Sequence, residues 1–214
     1  MPSLRIPLPK NLARLIASFI YQPRVTYEFP IAMLENGRKS LHVLPDGYEY
    51  RLATEADCAA IVTLLTADTG FGTWTAERVK SELLDRLIDP RAGAIMLYKG
   101  TPVGCGFVTD ASTRRKRVAH GMYLYFTPAH RGKKPVTHYG VYQTMAVAAD
   151  LNYDRVIGES DPWRFSVLLL HLSNGCVPLK NSLYSHIQWF MIERRLRPAL
   201  TALAKRQARK AAAN

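Results

Sequence analysis

The stretch that most restricts what this chain can become is YLYFTPAHRGKKPV, residues 123–136. An apolar run, Tyr123 to Phe126, reads as a strand. It meets Pro128, then His130, Arg131, Lys133 and Lys134, then Pro135. Proline fits the first turn of a helix, where its missing N–H costs nothing. The stretch therefore reads as strand, loop, helix. A loop that opens a helix presents unpaired backbone N–H groups and the positive end of the helix dipole. Arg131, Lys133 and Lys134 add fixed charges at the same place. Together they form an anion site of the kind that suits a pyrophosphate.

The rest of the chain supplies a frame for that unit. Tyr48 to Leu52 alternates as a strand, and Thr54 followed by Asp57 resembles a capping box ahead of a helix carrying Ile61, Leu64 and Leu65. A second helix runs from Thr75 to Pro90. AIMLYK and PVGCGFVTD read as a hairpin about Gly100, and VAHGMYLYF as a long strand after the basic loop STRRKR. A helix follows from Pro135 to about Ala149, then a strand in YDRVIGES. DPWRFSVLLLHLSNG reads as a helix with Asp161 as its cap, Pro162 at its first position and Gly175 past its end. A last strand is expected in LYSHIQWFMI, followed by a basic helical tail. Ahead of all this, Leu8, Leu12, Leu15, Ile16 and Phe19 recur at helical spacing, which predicts an amphipathic helix over 8–20. The order implies an α+β fold with a mixed central β-sheet covered by helices on both faces. The expected division is an extension over 1–47, a domain over 48–192 and a basic helical tail over 193–214.

Charge sits mainly at the two ends. The net charge is +12, yet residues 1–24 carry four Lys/Arg and no acid, and residues 185–214 carry seven against Glu193 alone. The middle is close to neutral. Basic ends attract polyanions, so nucleic acid is one partner to weigh, with Arg114 to Arg117 and the tail as phosphate contacts. No apolar run reaches the roughly 18 residues needed to span a bilayer. Three separated cysteines, Cys58, Cys105 and Cys176, form no CxxC pair and point to a reducing, cytoplasmic compartment. The six histidines show no metal-ligand spacing, so no metal is expected.

The order of elements, with LYFTPAHRGKKPV between strand and helix, resembles the GNAT acyltransferase family over roughly residues 48–192. The family's pattern there is an apolar strand, a proline, then Arg/Gln-x-x-Gly-x-Gly/Ala opening a helix. Arg131, Gly132 and Lys133 match its first part. HLSNGC places His171 where the family has a tyrosine and Gly175 where it has a glycine. The resemblance implies an acyl-CoA-dependent N-acyltransferase, with acetyl-CoA or another acyl-CoA as co-substrate and a small-molecule or protein amine as acceptor. It implies that the backbone of Phe126 and Thr127 pairs with the pantetheine arm, and that Arg131, Gly132, Lys133, Lys134 and Val136 hold the phosphates. It gives the acid role to His171. His120 and Glu159, near strand ends, are the candidates for the base.

Two small residues of the family pattern are replaced by Lys134 and Val136, with Pro135 between them. The expected result is less room and one donor fewer. Either cationic side chains take over from the backbone donors, or the fold has been put to another use, such as binding nucleic acid. An acidic acyl carrier protein in place of coenzyme A would also suit the basic loop.

Overall fold

The computed structural model describes residues 24–41, 43–67 and 72–211. Among these, the strands are β1 (Val25–Phe29), β2 (Tyr48–Leu52), β3 (Gly93–Tyr98), β4 (Thr101–Asp110), β5 (Val118–Phe126), β6 (Arg155–Ser160) and β7 (Val177–Pro178). The helices are α1 (Ile31–Lys39), α2 (Cys58–Thr66), α3 (Ala76–Glu82), α4 (Lys134–Met145), α5 (Val147–Asp150), α6 (Phe165–Ser173) and α7 (Leu183–Ala211). The chain separates into two compact units, Glu28–Gly158 and a smaller one of residues 24–27 with 159–211.

The larger unit is built on a mixed sheet. β2, β3, β4 and β5 pair antiparallel in that order, and β6 lies parallel to β5. Its two faces bury different sets of side chains, as strand alternation requires. Ile95, Leu97, Cys105, Phe107 and Tyr125 pack with Ile61, Leu64 and Leu65 of α2 and Val79 of α3. Met96, Val103 and Phe126 point the other way and pack with Val136 of α4. The expected α+β fold, a mixed sheet with helices on both faces, is observed.

A register shift lies between Cys105 and Phe107 of β4. Cys105 faces Tyr125 and Phe107 faces Met122, so Tyr123 and Leu124 together oppose Gly106. This is a β-bulge, and Tyr123 takes the left-handed region at φ 50°. The bulge resets the alternation. Met122 and Tyr123, neighbours in the chain, both pack on the α2/α3 face.

The turn into α2 is a small polar lock. The Asp57 carboxylate accepts from the Thr54 N–H at 2.9 Å and from its hydroxyl at 3.0 Å. Arg51 of β2 donates to both Asp57 oxygens, at 2.8 and 2.6 Å. The Arg51 guanidinium holds the Asp57 carboxyl below its ordinary range.

Three expectations are corrected. LYSHIQWFMI is the start of α7, not a strand. Its buried residues Tyr184, Gln188, Trp189, Ile192 and Leu196 follow helical spacing, and packing overrides the β-propensity of its aromatic and branched residues. The helix expected from Asp161 starts at Phe165, and Asp161 instead pairs with Arg164 at 2.9 Å. The helix begun at Thr75 gives way at Leu83 to a 3-10 turn over Leu84–Arg86, well before Pro90. β1 and α1 were not foreseen, and the helix expected over 8–20 lies outside the described residues.

Replacing Asp57 by Ala removes the cap and strands Arg51. Unfolding in urea should show a loss of about 2 kcal/mol, seen as a lower midpoint at unchanged slope. Asp57→Asn should lose less, because one amide oxygen can still accept from Thr54.

Candidate active site at the end of β5

Within the larger unit, β5 leads directly into the loop and α4. Parallel pairing with β6 ends at Gly121 opposite Gly158. On that side Met122 to Phe126 have no β6 partner among the described residues. A run of strand backbone next to a bulge is thus left open to an extended ligand, the requirement for pairing with a linear arm.

The loop is tied at several points. The Thr127 N–H donates to the Val103 carbonyl at 2.8 Å, so Thr127 is still held by the sheet. Residues 128–130 make one 3-10 turn, closed by His130 N–H to the Thr127 carbonyl at 2.9 Å. Gly132 then takes φ 73°, a conformation that strains any residue with a Cβ. That reversal lets Lys133 open α4, whose first helical bond runs from the Thr137 N–H to the Lys133 carbonyl at 3.1 Å. The N–H groups of Lys134 and Val136 belong to the unpaired first turn of the helix. Pro135 has none.

Two cations of this loop, Arg131 and Lys133, are tied down. Arg131 folds back on the strand end, its Nε donating to the Phe126 carbonyl at 2.7 Å and its guanidinium lying 5.2 Å from the Tyr125 ring centre. Lys133 Nζ donates to the Tyr48 hydroxyl at 2.9 Å and sits over the rings of Tyr48 and Tyr98. The same hydroxyl lies 2.6 Å from His130 Nδ1. Desolvation, helped by the Lys133 charge, lowers the His130 pKa. A neutral His130 can then accept at Nδ1 while Tyr48 donates to it and receives from Lys133. Tyr48, absent from the residues marked in the sequence, is the joint of this network. Val136 is fully buried against the sheet, so its branched side chain faces the core.

The residues expected to do chemistry fall in two places. His120 is half-buried in mid-strand, opposite Thr109 on β4 and Ile157 on β6. Glu159 and His171 belong to the smaller unit. Glu159 is exposed, with Arg24 at 4.0 Å. His171 is buried in α6, its ring stacked on Tyr27 with centroids 4.9 Å apart. Burial pushes the His171 pKa down to about 4. Burial first, then the nearby Cys176 and Glu159, holds the Tyr27 phenol far above its ordinary value. The Tyr27 hydroxyl reaches the Glu159 carbonyl at 3.5 Å. Tyr27 was missed, although Val25, Tyr27 and Phe29 alternate as a buried strand face should.

The basic loop ahead of β5 is partly committed as well. Arg117 Nη1 donates to the Leu151 carbonyl at 2.6 Å, and its guanidinium stacks 4.5 Å from the Tyr153 ring centre. It acts as a structural tie, whereas Arg114, Arg115 and Lys116 are exposed.

No protein-family model matches the chain, and no curated protein matches it. Among solved structures it is similar to a GCN5-related N-acetyltransferase from Sphaerobacter thermophilus, with a TM-score of 0.55 at 15% identity. That match covers 78% of this chain and 53% of the other, so the chain spans about half the length of that protein. It is also similar to a chain in the structure of the NatC complex bound to Gag peptide and CoA. There the TM-score is 0.54 at 17% identity, over 64% of this chain and 92% of that one. The chain has the GCN5-related N-acetyltransferase fold. Within the larger unit, the β5 edge beyond Gly121, the loop through Gly132 and the first turn of α4 follow one another directly.

The His171 shift has a direct consequence for stability. An unfolded histidine titrates near pH 6.5 and the buried ring only near 4. Between those values the unfolded chain binds a proton that the folded chain refuses. The contribution is fully present above pH 6.5 and is lost as pH falls toward 4, by about 3 kcal/mol at 1.36 per unit. Urea unfolding between pH 7 and 4.5 should show this fall, and His171→Phe should flatten it.

Proposed function

We propose that this protein is an acyl-CoA-dependent N-acyltransferase that moves an acyl group, acetyl in the simplest case, from a coenzyme A thioester to an amine. The observation that carries the reading is the junction of β5 and α4. The edge from Met122 to Tyr125, short of the Phe126 carbonyl that Arg131 holds, fits the amide groups of a pantetheine arm, and the first turn of α4 fits a pyrophosphate. The neighbours that share the fold and carry coenzyme A or are acetyltransferases support it.

In this reading the loss of small residues at 134 and 136 is compatible with phosphate binding. The Val136 side chain is spent on the core, and its N–H belongs to the unpaired first turn of α4, where it points along the helix axis. Pro135 costs one donor. In this reading the Lys134 and Val136 N–H groups and the Arg131 guanidinium meet the phosphates. Lys133 and His130, braced by Tyr48, hold the loop to the sheet and keep the local potential positive.

For the transfer itself, the amine attacks the thioester carbonyl, its proton passes to a base, and the thiolate leaves as the C–S bond breaks. Glu159 and His120 remain the proposed bases. A His171 ring held neutral is a weak source of a proton for the thiolate, and serves better as a hydrogen-bond donor. The acid role stays proposed for His171, as the resemblance implies it. A cytoplasmic setting and an amine acceptor, small or peptidic, belong to this same proposal.

Calorimetric titration with acetyl-CoA at low and moderate salt tests the binding half. A one-site isotherm is expected. Arg131→Ala should weaken it roughly tenfold or more, the size of a charged hydrogen bond. Tyr48→Phe should weaken it less, by loosening Lys133 and His130. No saturable binding at either salt would remove the coenzyme A reading. A transfer assay on His171→Phe that leaves kcat unchanged would remove the acid assignment alone.

A further inference from the structure

We infer that α7 is a membrane-surface anchor, laying its outer face on a bilayer rich in anionic lipid. The face is defined by helical spacing. Leu183, Phe190 and Met191 lie on one side of α7 and are 72, 57 and 62% exposed. Half-buried Ile187 falls among them. One and two turns further on, the same side carries exposed Arg194 and Arg197, and later Lys205. The opposite side is occupied. Tyr184, Trp189, Ile192 and Leu196 are buried, and Trp189 Nε1 donates to the Thr26 carbonyl at 3.2 Å. The exposed apolar residues are therefore a second face on a helix that already has its core face.

Charge identifies the occupant. The single acid of α7, Glu193, is paired with Lys180 at 2.9 Å, so the outer face presents cations alone. An apolar stripe continued by arginine and lysine, without acids, is the pattern of a helix lying in a lipid headgroup layer. A second copy fits poorly. Parallel faces would set arginine against arginine, and antiparallel faces would set arginine against leucine. A nucleic acid would use the cations but leave Leu183, Phe190 and Met191 in water. The helix does not cross the bilayer, since no described helix is long and apolar enough to do so. This inference is independent of the acyltransferase reading.

The full chain should sediment with vesicles of phosphatidylcholine containing roughly a third phosphatidylglycerol, and not with phosphatidylcholine alone. Phe190→Glu with Met191→Glu, both on the outer face, should abolish that binding while the far-ultraviolet spectrum and urea midpoint stay unchanged. Arg194→Gln with Arg197→Gln should weaken it by about twenty-five-fold, at roughly fivefold per charge. Three results would overturn the proposal. One is no binding to the anionic vesicles at low salt. Another is binding that survives Phe190→Glu/Met191→Glu, which would move the attachment to another segment. The third is a dimer in solution that those two substitutions dissociate, which would make the face a contact between copies.

Discussion

The bulge of β5 opposite Gly106 is the constraint on which the rest of the larger unit turns. β5 is paired on both sides up to Gly121 and has to bury side chains on both faces of the sheet. A regular strand would keep one alternation along its whole length. The extra residue at Tyr123 and Leu124 changes its phase, so that Tyr123 and Tyr125 meet the α2/α3 core while Leu124 and Phe126 meet α4. The same irregularity coincides with the end of pairing to β6. One local conformation thus sets the packing of two cores and leaves the strand edge open just before the loop. Gly106 is suited to the position because its missing side chain leaves room; a Cβ there would meet Leu124 Cδ1 at 3.3 Å.

How much of this could be read in the sequence depended on range. Elements with local punctuation were legible. Gly100 marked the β3–β4 hairpin, Thr54 and Asp57 marked the entry to α2, and Pro128 to Pro135 marked the passage from strand to helix. Elements whose identity rests on distant packing were not. Residues 184–192 contain Tyr, Ile, Trp, Phe and Met in close succession, which favours a strand by propensity. The period that decides the matter is that of Tyr184, Gln188, Ile192 and Leu196, and one of these is a glutamine. A polar residue at a buried position hid the helical stripe. β1 is five residues long between prolines, too short to stand out although its alternation is complete.

The candidate site divides along the same line. Arg131, Gly132 and Lys133 were visible because their meaning is local: a cation, a left-handed turn and a helix start. Tyr48 was not, because it joins the site across 82 residues of sequence. A tyrosine at the start of a strand has no local mark that separates it from ordinary core. Tyr27 of β1 was hidden for the same kind of reason, since its partner His171 lies far along the chain on α6. The sequence pointed correctly to the loop as a concentration of charge, but could not show that much of that charge is already engaged.

That engagement changes what the loop is. Free lysines and arginines around a phosphate bind any polyanion by counterion release, with little regard for shape. Here Arg131 is fixed by the Phe126 carbonyl and Lys133 by the Tyr48 hydroxyl, so their positions are set before a ligand arrives. Preorganised donors lose less conformational freedom on binding and discriminate by geometry. A loop built to hold nucleic acid loosely has no need of Tyr48 or of the left-handed turn at Gly132. A loop that must set a pyrophosphate at one place, so that a thioester reaches one point along β5, needs both. The bracing of the cations, more than their number, is the physical argument for the proposed coenzyme A reading.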